Sequence, residues 1–283
     1  MISCSCLGHR DYGRFGNQLF QYSLSKILAH IHDTTFHLNP DNHFLKFFDQ
    51  KCLTYKKLEK PCKAQYIEKN SFYFDNQIFN HREIDLIGFF QNINYYIKHL
   101  EIIKQEFKPN PIIINKTYRY LKQYTNKIEN SICLHFRRKD YKILQNLYGF
   151  LDVSYYMNII AKLDYDKIFI VSDDISLIKS EFMQHKITNT NIHFVDDLDV
   201  YHEFFIIYLC RISIMANSSF SWWASLLSDN KDKKIYYPEP WIIKNHNGDK
   251  LPKVELFLPH WEKQSSSAYK WHKLFNPLNS VLS

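Results

Sequence analysis

From residue 130 onward, short apolar runs alternate with stretches of helical spacing, and this rhythm limits the fold more than any other feature of the chain. Ile132-Cys-Leu-His-Phe136, Lys167-Ile-Phe-Ile-Val171, Asn191-Ile-His-Phe-Val195, Arg211-Ile-Ser-Ile-Met-Ala216 and Lys234-Ile-Tyr-Tyr237 read as strands. Between them, Tyr155 to Leu163, Ile175 to His185, Val200 to Leu209 and Phe220 to Leu227 read as helices. Alternation of this kind predicts an α/β fold with a parallel, doubly wound sheet. Pro238 is expected to end the series.

Before residue 126 the pattern is less regular. A helix is expected from Gln18 to His32, directly after Gly13-Arg-Phe-Gly16, and another from Asn94 to Phe107. Pro109 and Pro111 close the second, and a further helical segment leads into the second half. The change of rhythm divides the chain into residues 1–128, 129–264 and a tail, 265–283, that begins with three serines. A length of 283 residues agrees with two domains, at about 150 residues per domain.

The apolar fraction of 45%, with 22 Phe and 20 Tyr, is enough for buried cores and excludes a disordered or collagen-like chain. No apolar run reaches the roughly 18–20 residues of a membrane span. Residues 1–10 lack the charged and then greasy regions of a secretory signal, so a cytoplasmic location is expected. Cys4, Cys6, Cys52, Cys62, Cys133 and Cys210 form no C-x-x-C pair and no zinc-type spacing; reduced, buried thiols are expected, with no metal. Asn115-Lys-Thr117 and Asn217-Ser-Ser219 match a glycosylation sequon, which is expected to go unused without a secretory signal. The net charge of +7 is spread along the chain, which argues against nucleic acid as a partner. Peripheral contact with a membrane surface stays open.

Only seven of the 36 basic residues are Arg, yet two of them are adjacent at Arg137-Arg138, where a strand ends. In open α/β sheets ligands bind beyond the carboxyl ends of the strands. Two planar, permanently charged guanidiniums at such a place suit a diphosphate; a salt-bridge cluster with Asp140 is the plainer alternative. At the next strand end, Ser172-Asp173-Asp174 offers a carboxylate for a ribose or base edge and one to cap the following helix, a metal pair being the third choice. At Asn217-Ser218-Ser219 a strand runs into a helix whose free N–H groups suit a phosphate, while Trp222 and Trp223 are expected to pack. In the N-terminal half, the glycine-bearing turn Gly13-Arg14-Phe15-Gly16 places Arg14, Asn17 and Gln18 at a helix start. No Lys-Ser/Thr follows, so it is no P-loop.

These strings together resemble the motif series of glycosyltransferase family 11, the α-1,2-fucosyltransferases. The resemblance rests on Gly13-Arg-Phe-Gly-Asn-Gln-Leu-Phe-Gln-Tyr22, Gly88-Phe-Phe-Gln91 with Tyr95-Tyr96, His135-Phe-Arg-Arg-Lys-Asp-Tyr141, Ser172-Asp-Asp174 and Asn217-Ser-Ser-Phe-Ser-Trp-Trp223. They keep the family's order over roughly residues 8 to 262. The family more often has an apolar first strand, a Gly-Gly-Leu-Gly-Asn-Gln turn, and Gly where Lys139 stands. These departures leave the donor side intact and bear on the acceptor. The Arg-Phe-Gly-Asn-Gln spelling also looks like the turn of protein O-fucosyltransferases, which keeps a protein acceptor open.

The resemblance implies a GT-B-like pair of Rossmann-like domains with the donor in the cleft. The implied reaction is inverting transfer of L-fucose from GDP-β-L-fucose to a glycan hydroxyl on an oligosaccharide or glycoconjugate, α-1,2 to galactose, without a bound metal. Arg137, Arg138, Asp173, Asp174, Asn217, Ser218 and Ser219 would bind the donor. Arg14, Gly16, Asn17 and Gln18 would serve the acceptor side. Arg137, Asn17, His135 and Asp140 are the candidates for catalysis; Asp140 or an N-terminal carboxylate would be the base, and His135 would touch the guanine or hold Arg137. Two other readings stand beside this one. One is a metal-dependent GT-A-type glycosyltransferase built on Asp196-Asp-Leu-Asp199; the other is a non-catalytic binder of a GDP-sugar.

Overall fold

The computed structural model describes residues 1–39, 42–187, 189–243 and 254–266. The expected tail lies outside these from residue 267 on. In chain order the elements are β1 (Ile2–Ser3), α1 (Phe15–Ile31), β2 (Phe36–Leu38), β3 (Lys56–Lys57), β4 (Gln65–Ile67), β5 (Ile84–Ile87), α2 (Leu100–Glu106) and α3 (Pro111–Lys122). There follow β6 (Ser131–Phe136), α4 (Tyr141–Tyr148), α5 (Val153–Ile160), β7 (Lys167–Ser172), α6 (Ile175–Gln184), β8 (Ile192–Phe194), α7 (Val200–Leu209), β9 (Ile212–Ile214), α8 (Ser219–Leu226), β10 (Lys234–Glu239) and β11 (Glu262–Ser265).

The strands form two sheets, with orders β3-β2-β1-β5-β4 and β11-β10-β9-β6-β7-β8. Every pairing in both is parallel. Among the described residues, one compact unit comprises 1–117, 222–227 and 254–259, and the other 118–221, 228–243 and 260–266. The expected division at 128/129 thus falls within the second unit, and two late segments count with the first.

In the second unit, β6 is buried at all six positions. Such a run, rather than an alternating one, is what a strand covered on both faces requires. Ile132, Leu134, Ile168, Ile170, Ile212 and Ile214 form its core with Tyr156 and Phe182 from the covering helices. The expected strand at Lys234 does not stop at Pro238. β10 runs through it to Glu239, pairing with β9 only as far as Tyr236 and with β11 beyond. A residue without an N–H fits where the ladder on one side has already ended.

The first unit differs more from its expectation. α1 starts at Phe15, three residues before Gln18. The helix expected from Asn94 is α2 alone, preceded by two separate 3-10 turns, Ile93–Tyr95 and Ile97–His99. Tyrosine hydroxyls fix this path: Tyr96 donates to the carbonyl of Phe90 at 2.6 Å, and Tyr95 accepts from the Asp75 amide at 2.9 Å. Pro111 does not end a helix but begins α3, where its missing N–H has no intrahelical partner to lose, and Asn110 accepts from the Ile112 amide at 3.0 Å. Phe20 is fully buried, with its ring 4.8 Å from Trp222 and 4.9 Å from Trp223. Trp222 also donates to the Leu256 carbonyl at 3.0 Å, so both tryptophans are packing residues of this unit, as expected.

Phe20→Ala should lower the unfolding free energy by about 3–5 kcal/mol, the range for emptying a buried aromatic site. Urea titration followed by tryptophan fluorescence measures this directly. A loss below about 1 kcal/mol would show that this cluster is not a core.

Candidate functional site

In the second unit, β6 lies between β7 and β9. The chain steps outward from β6 to β7 and β8, then returns to the other side of β6 as β9. The crevice beyond the carboxyl ends of β6 and β9 is therefore the topological switch point, where doubly wound sheets bind ligands. The 137–140 turn and the 217–219 turn meet there. Tyr141 donates to the Asn217 carbonyl at 2.5 Å, and the His135 and Phe220 rings lie 5.5 Å apart.

Arg137 is held by two carboxylates: Nη2 meets Asp140 at 2.9 Å and Nη1 meets Asp173 at 3.3 Å. Burial pulls its pKa down, but Asp173 and Asp140 outweigh burial and the net shift is upward. It is a fixed cation at the strand end. Arg138 takes another place. It is 1% exposed and grips Glu181 with two parallel bonds, Nε at 2.9 Å and Nη2 at 2.8 Å, while Nη1 donates to the Arg137 carbonyl. Its plane lies over Phe150 at 4.1 Å and Phe136 at 5.0 Å. The expectation that Arg138 binds phosphate does not fit this geometry; the side chain supports the turn that carries Arg137.

Asp173 likewise serves the turn, accepting from the amides of Arg138 at 2.7 Å and Lys139 at 3.3 Å. Asp174 caps α6 through the Leu177 amide. Asn217 donates to the carbonyls of Tyr148 and Trp241, which locks the entry to α8. Ser218 accepts from the Phe220 amide at 3.3 Å, and Ser219 opens the helix. The sequence reasoning missed Glu203, in the first turn of α7. Its carboxylate is half-buried and accepts no hydrogen bond among the described residues, and burial, with Asp173 and Asp199 nearby, pushes its pKa up to about 7. Glu181 was missed as well. A glutamate inside an amphipathic helix gives no sequence signal of either role.

Asp196, Asp197 and Asp199 do not converge. Asp196 pairs with Lys179, Asp197 accepts from the Tyr120 hydroxyl at 2.7 Å, and Asp199 caps α7. Among the described residues, no group of three or more His, Cys, Asp or Glu is placed to hold a metal.

The first unit has its own switch point, because β1 lies between β2 and β5. Gly13, at φ +91°, leads into α1, and a Cβ there would stand 2.0 Å from Asn17 Nδ2. Arg14 is the exposed residue just before the helix and makes no side-chain cap, while Gly16 is buried in the first turn. Asn17 is the third helical residue, not a cap, and its Oδ1 accepts from Gln91 Nε2 at 2.8 Å. Gln18 is half-buried, with its amide on the Arg14 carbonyl. Across this crevice, Glu68 takes the amides of Phe89 and Phe90, and burial raises its pKa to about 7 against the pull of those two bonds.

His135 is 5% exposed with Nδ1 unpartnered; burial, then the charge of Arg137, pushes its pKa down to about 3. The ring is neutral in the native state, whereas in the unfolded chain it takes a proton below about pH 6.5. Stability is therefore lost as pH falls from about 6.5 toward 3, by about 2 kcal/mol between pH 7 and 5 from this one group. In urea titrations at pH 7 and 5, His135→Gln should lose that much less than the wild type. Equal losses would remove the imidazole as the cause.

The model of glycosyl transferase family 11 matches residues 9–264. An α-1,2-colitosyltransferase of Escherichia coli is 26% identical over 267 residues, covering 81% of this chain and 90% of its own. The O-antigen biosynthesis glycosyltransferase WbnK of Escherichia coli is 24% identical over 188 residues, covering 62% of this chain and 59% of its own. In fold, the chain is similar to POFUT1, solved in complex with GDP-fucose, at a TM-score of 0.55 and 13% identity, covering 83% of this chain and 97% of that one. It is also similar to the α-1,6-fucosyltransferase NodZ, soaked with GDP-fucose, at 0.50 and 15%, covering 82% and 96%. The GT-B-like α/β class expected from the sequence is the class of these fucosyltransferases. With its motifs in order along two parallel sheets and a family match over nearly its whole described length, the chain belongs to glycosyl transferase family 11 and is a glycosyltransferase.

Proposed function

We propose that the protein transfers L-fucose, with inversion, from GDP-β-L-fucose to a hydroxyl of a glycan, forming an α-1,2 link to galactose. The observation that carries this is Arg137, a cation pinned by two carboxylates at the switch point of the second unit, beside the start of α8. A leaving diphosphate gains negative charge as the sugar departs. A fixed guanidinium and a helix start stabilise that charge without reorganising, at roughly 10²–10³ in rate per well-placed donor. Asp140 is engaged by Arg137, so we assign it to aiming the guanidinium rather than to taking the acceptor proton. With Asp173 and Asp174 occupied by backbone amides, Glu203 is the carboxylate we assign to the ribose or guanine edge. Asn17, in the first unit, orients the acceptor hydroxyl.

The colitosyltransferase relative supports a second donor. Colitose is fucose lacking one ring hydroxyl, so GDP-colitose would present the same diphosphate to Arg137. We also propose that no metal takes part and that the enzyme works in the cytoplasm. No described helix is long and apolar enough to cross a membrane.

Arg137→Lys keeps the charge but loses the planar fork, and should lower kcat/KM for GDP-fucose at least about tenfold, since a charge-assisted bond contributes roughly 1.5–3 kcal/mol. A wild-type value would sink the diphosphate assignment. Transfer rates in excess EDTA should equal those in Mg²⁺. Loss of activity with the chelator, restored by Mn²⁺, would return the reading to the aspartates at 196–199.

A further inference from the structure

The connection from β3 to β4 crosses the whole first sheet. These are its two edge strands, with β2, β1 and β5 between them, so residues 58–64 cover four strand spacings, about 19 Å. A fully extended segment of that length reaches only roughly 23–25 Å. Little slack is left, and what remains is taken up by fastenings at both ends and in the middle. The Leu58 amide donates to the Leu38 carbonyl at 2.8 Å, and the Asp85 amide donates to the Ala64 carbonyl at 2.9 Å. Between them the Cys62 amide donates to Ser3 Oγ at 3.0 Å, and its thiol to the Met1 carbonyl at 3.3 Å.

Lys56 and Lys57 on β3 and Lys60 and Lys63 on this strap are all exposed. Spaced along the sequence they resemble ordinary solubilising charge; the topology lays them out in a row from one edge of the sheet toward the other. Among the described residues none of the four enters an ion pair. The Met1 carbonyl also accepts from the Ile84 amide at 3.3 Å, which brings exposed Arg82 and Glu83 beside the strap. These five cations outnumber the exposed acids around them, Asp33, Glu59 and Glu83. We infer that this strap is a docking surface for a membrane of anionic phospholipid. A plane of phosphates has no shape to read, and separate ammonium groups on a fixed backbone match it by charge alone. Nucleic acid is instead held by charge interleaved with stacking aromatics, and residues 56–63 contain no aromatic side chain. Docking at this edge, where β1 begins, leaves the crevice beyond the carboxyl ends of the first sheet open.

Flotation of the full chain with vesicles tests this, using phosphatidylcholine alone and with about one third phosphatidylglycerol added. The protein should float with the anionic vesicles only, and detach in about 1 M salt, where the screening length falls to roughly 3 Å. Each lysine close to such a surface strengthens binding about fivefold. The combined variant Lys56→Gln, Lys57→Gln, Lys60→Gln and Lys63→Gln should therefore partition at least about tenfold more weakly. A control with the same change of charge on the second unit, Lys127→Gln, Lys162→Gln, Lys231→Gln and Lys234→Gln, should lose less than about threefold, because screening confines the attraction to nearby charges. All of these lysines are exposed, so Tm should hold in both variants. If the strap variant melts more than about 5 °C lower, Lys60→Gln with Lys63→Gln takes its place, at a threshold of about threefold. Equal losses in strap and control variants reduce the effect to net charge and overturn the inference. So does equal binding to neutral vesicles, or no binding to anionic ones. Tighter binding to a DNA duplex than to the vesicles, lost in the strap variant, overturns the lipid as the partner.

Discussion

The buried pair Arg138–Glu181 is the interaction on which the candidate donor site depends. A guanidinium at 1% exposure is costly to bury unless every charge around it is answered, and here a bidentate carboxylate, a carbonyl and two aromatic faces answer it. The pair ties the end of β6 to α6, and Asp173 ties the same turn to the end of β7 through two amides. Arg137 can then hold its position without support from a ligand. Breaking a buried pair leaves a charge with no partner, which costs far more than the intact pair contributes. In the proposed reaction the adjacent arginines thus divide between structure and chemistry, and the sequence spelling treats them alike.

How much could be read beforehand follows from the length of each signal. β6 and β7 are six-residue strands built round Ile132-Cys-Leu134 and Ile168-Phe-Ile-Val171, so their place and parallel pairing were legible. β1 and β3 are two residues long, and β3 is wholly exposed. No periodicity can announce a strand that short; the first sheet was expected only from the family resemblance, and its strand order came from the structure. Pro111 was read as a stop because a proline ends one helix as readily as it begins another. The broken path around Tyr95 and Tyr96 depends on hydroxyls reaching Phe90 and Asp75, contacts that spacing along the chain does not encode. Asp173 is engaged for the same reason: its partners are the amides of Arg138 and Lys139 and the guanidinium of Arg137, 34 to 36 positions away.

The two units solve the same problem twice. Each places its first strand between strands that run outward in opposite directions, and each collects its distinctive polar groups where that order reverses. The means differ. The second unit uses charge, with Arg137 set between Asp140 and Asp173. The first uses amides, Gln91 against Asn17, with a carboxylate one layer behind at Glu68. A charged array suits a ligand that is itself an anion, and an amide array suits one that is neutral and rich in hydroxyls.

Residues 222–227 and 254–259 count with the first unit although they follow most of the second in the chain. Phe20 is covered by Trp222 and Trp223, which a ribosome makes some two hundred residues later. During synthesis the nascent first unit therefore carries an open apolar face until α8 has emerged. A single cut between residues 117 and 222 therefore parts the first unit from a piece of its own core.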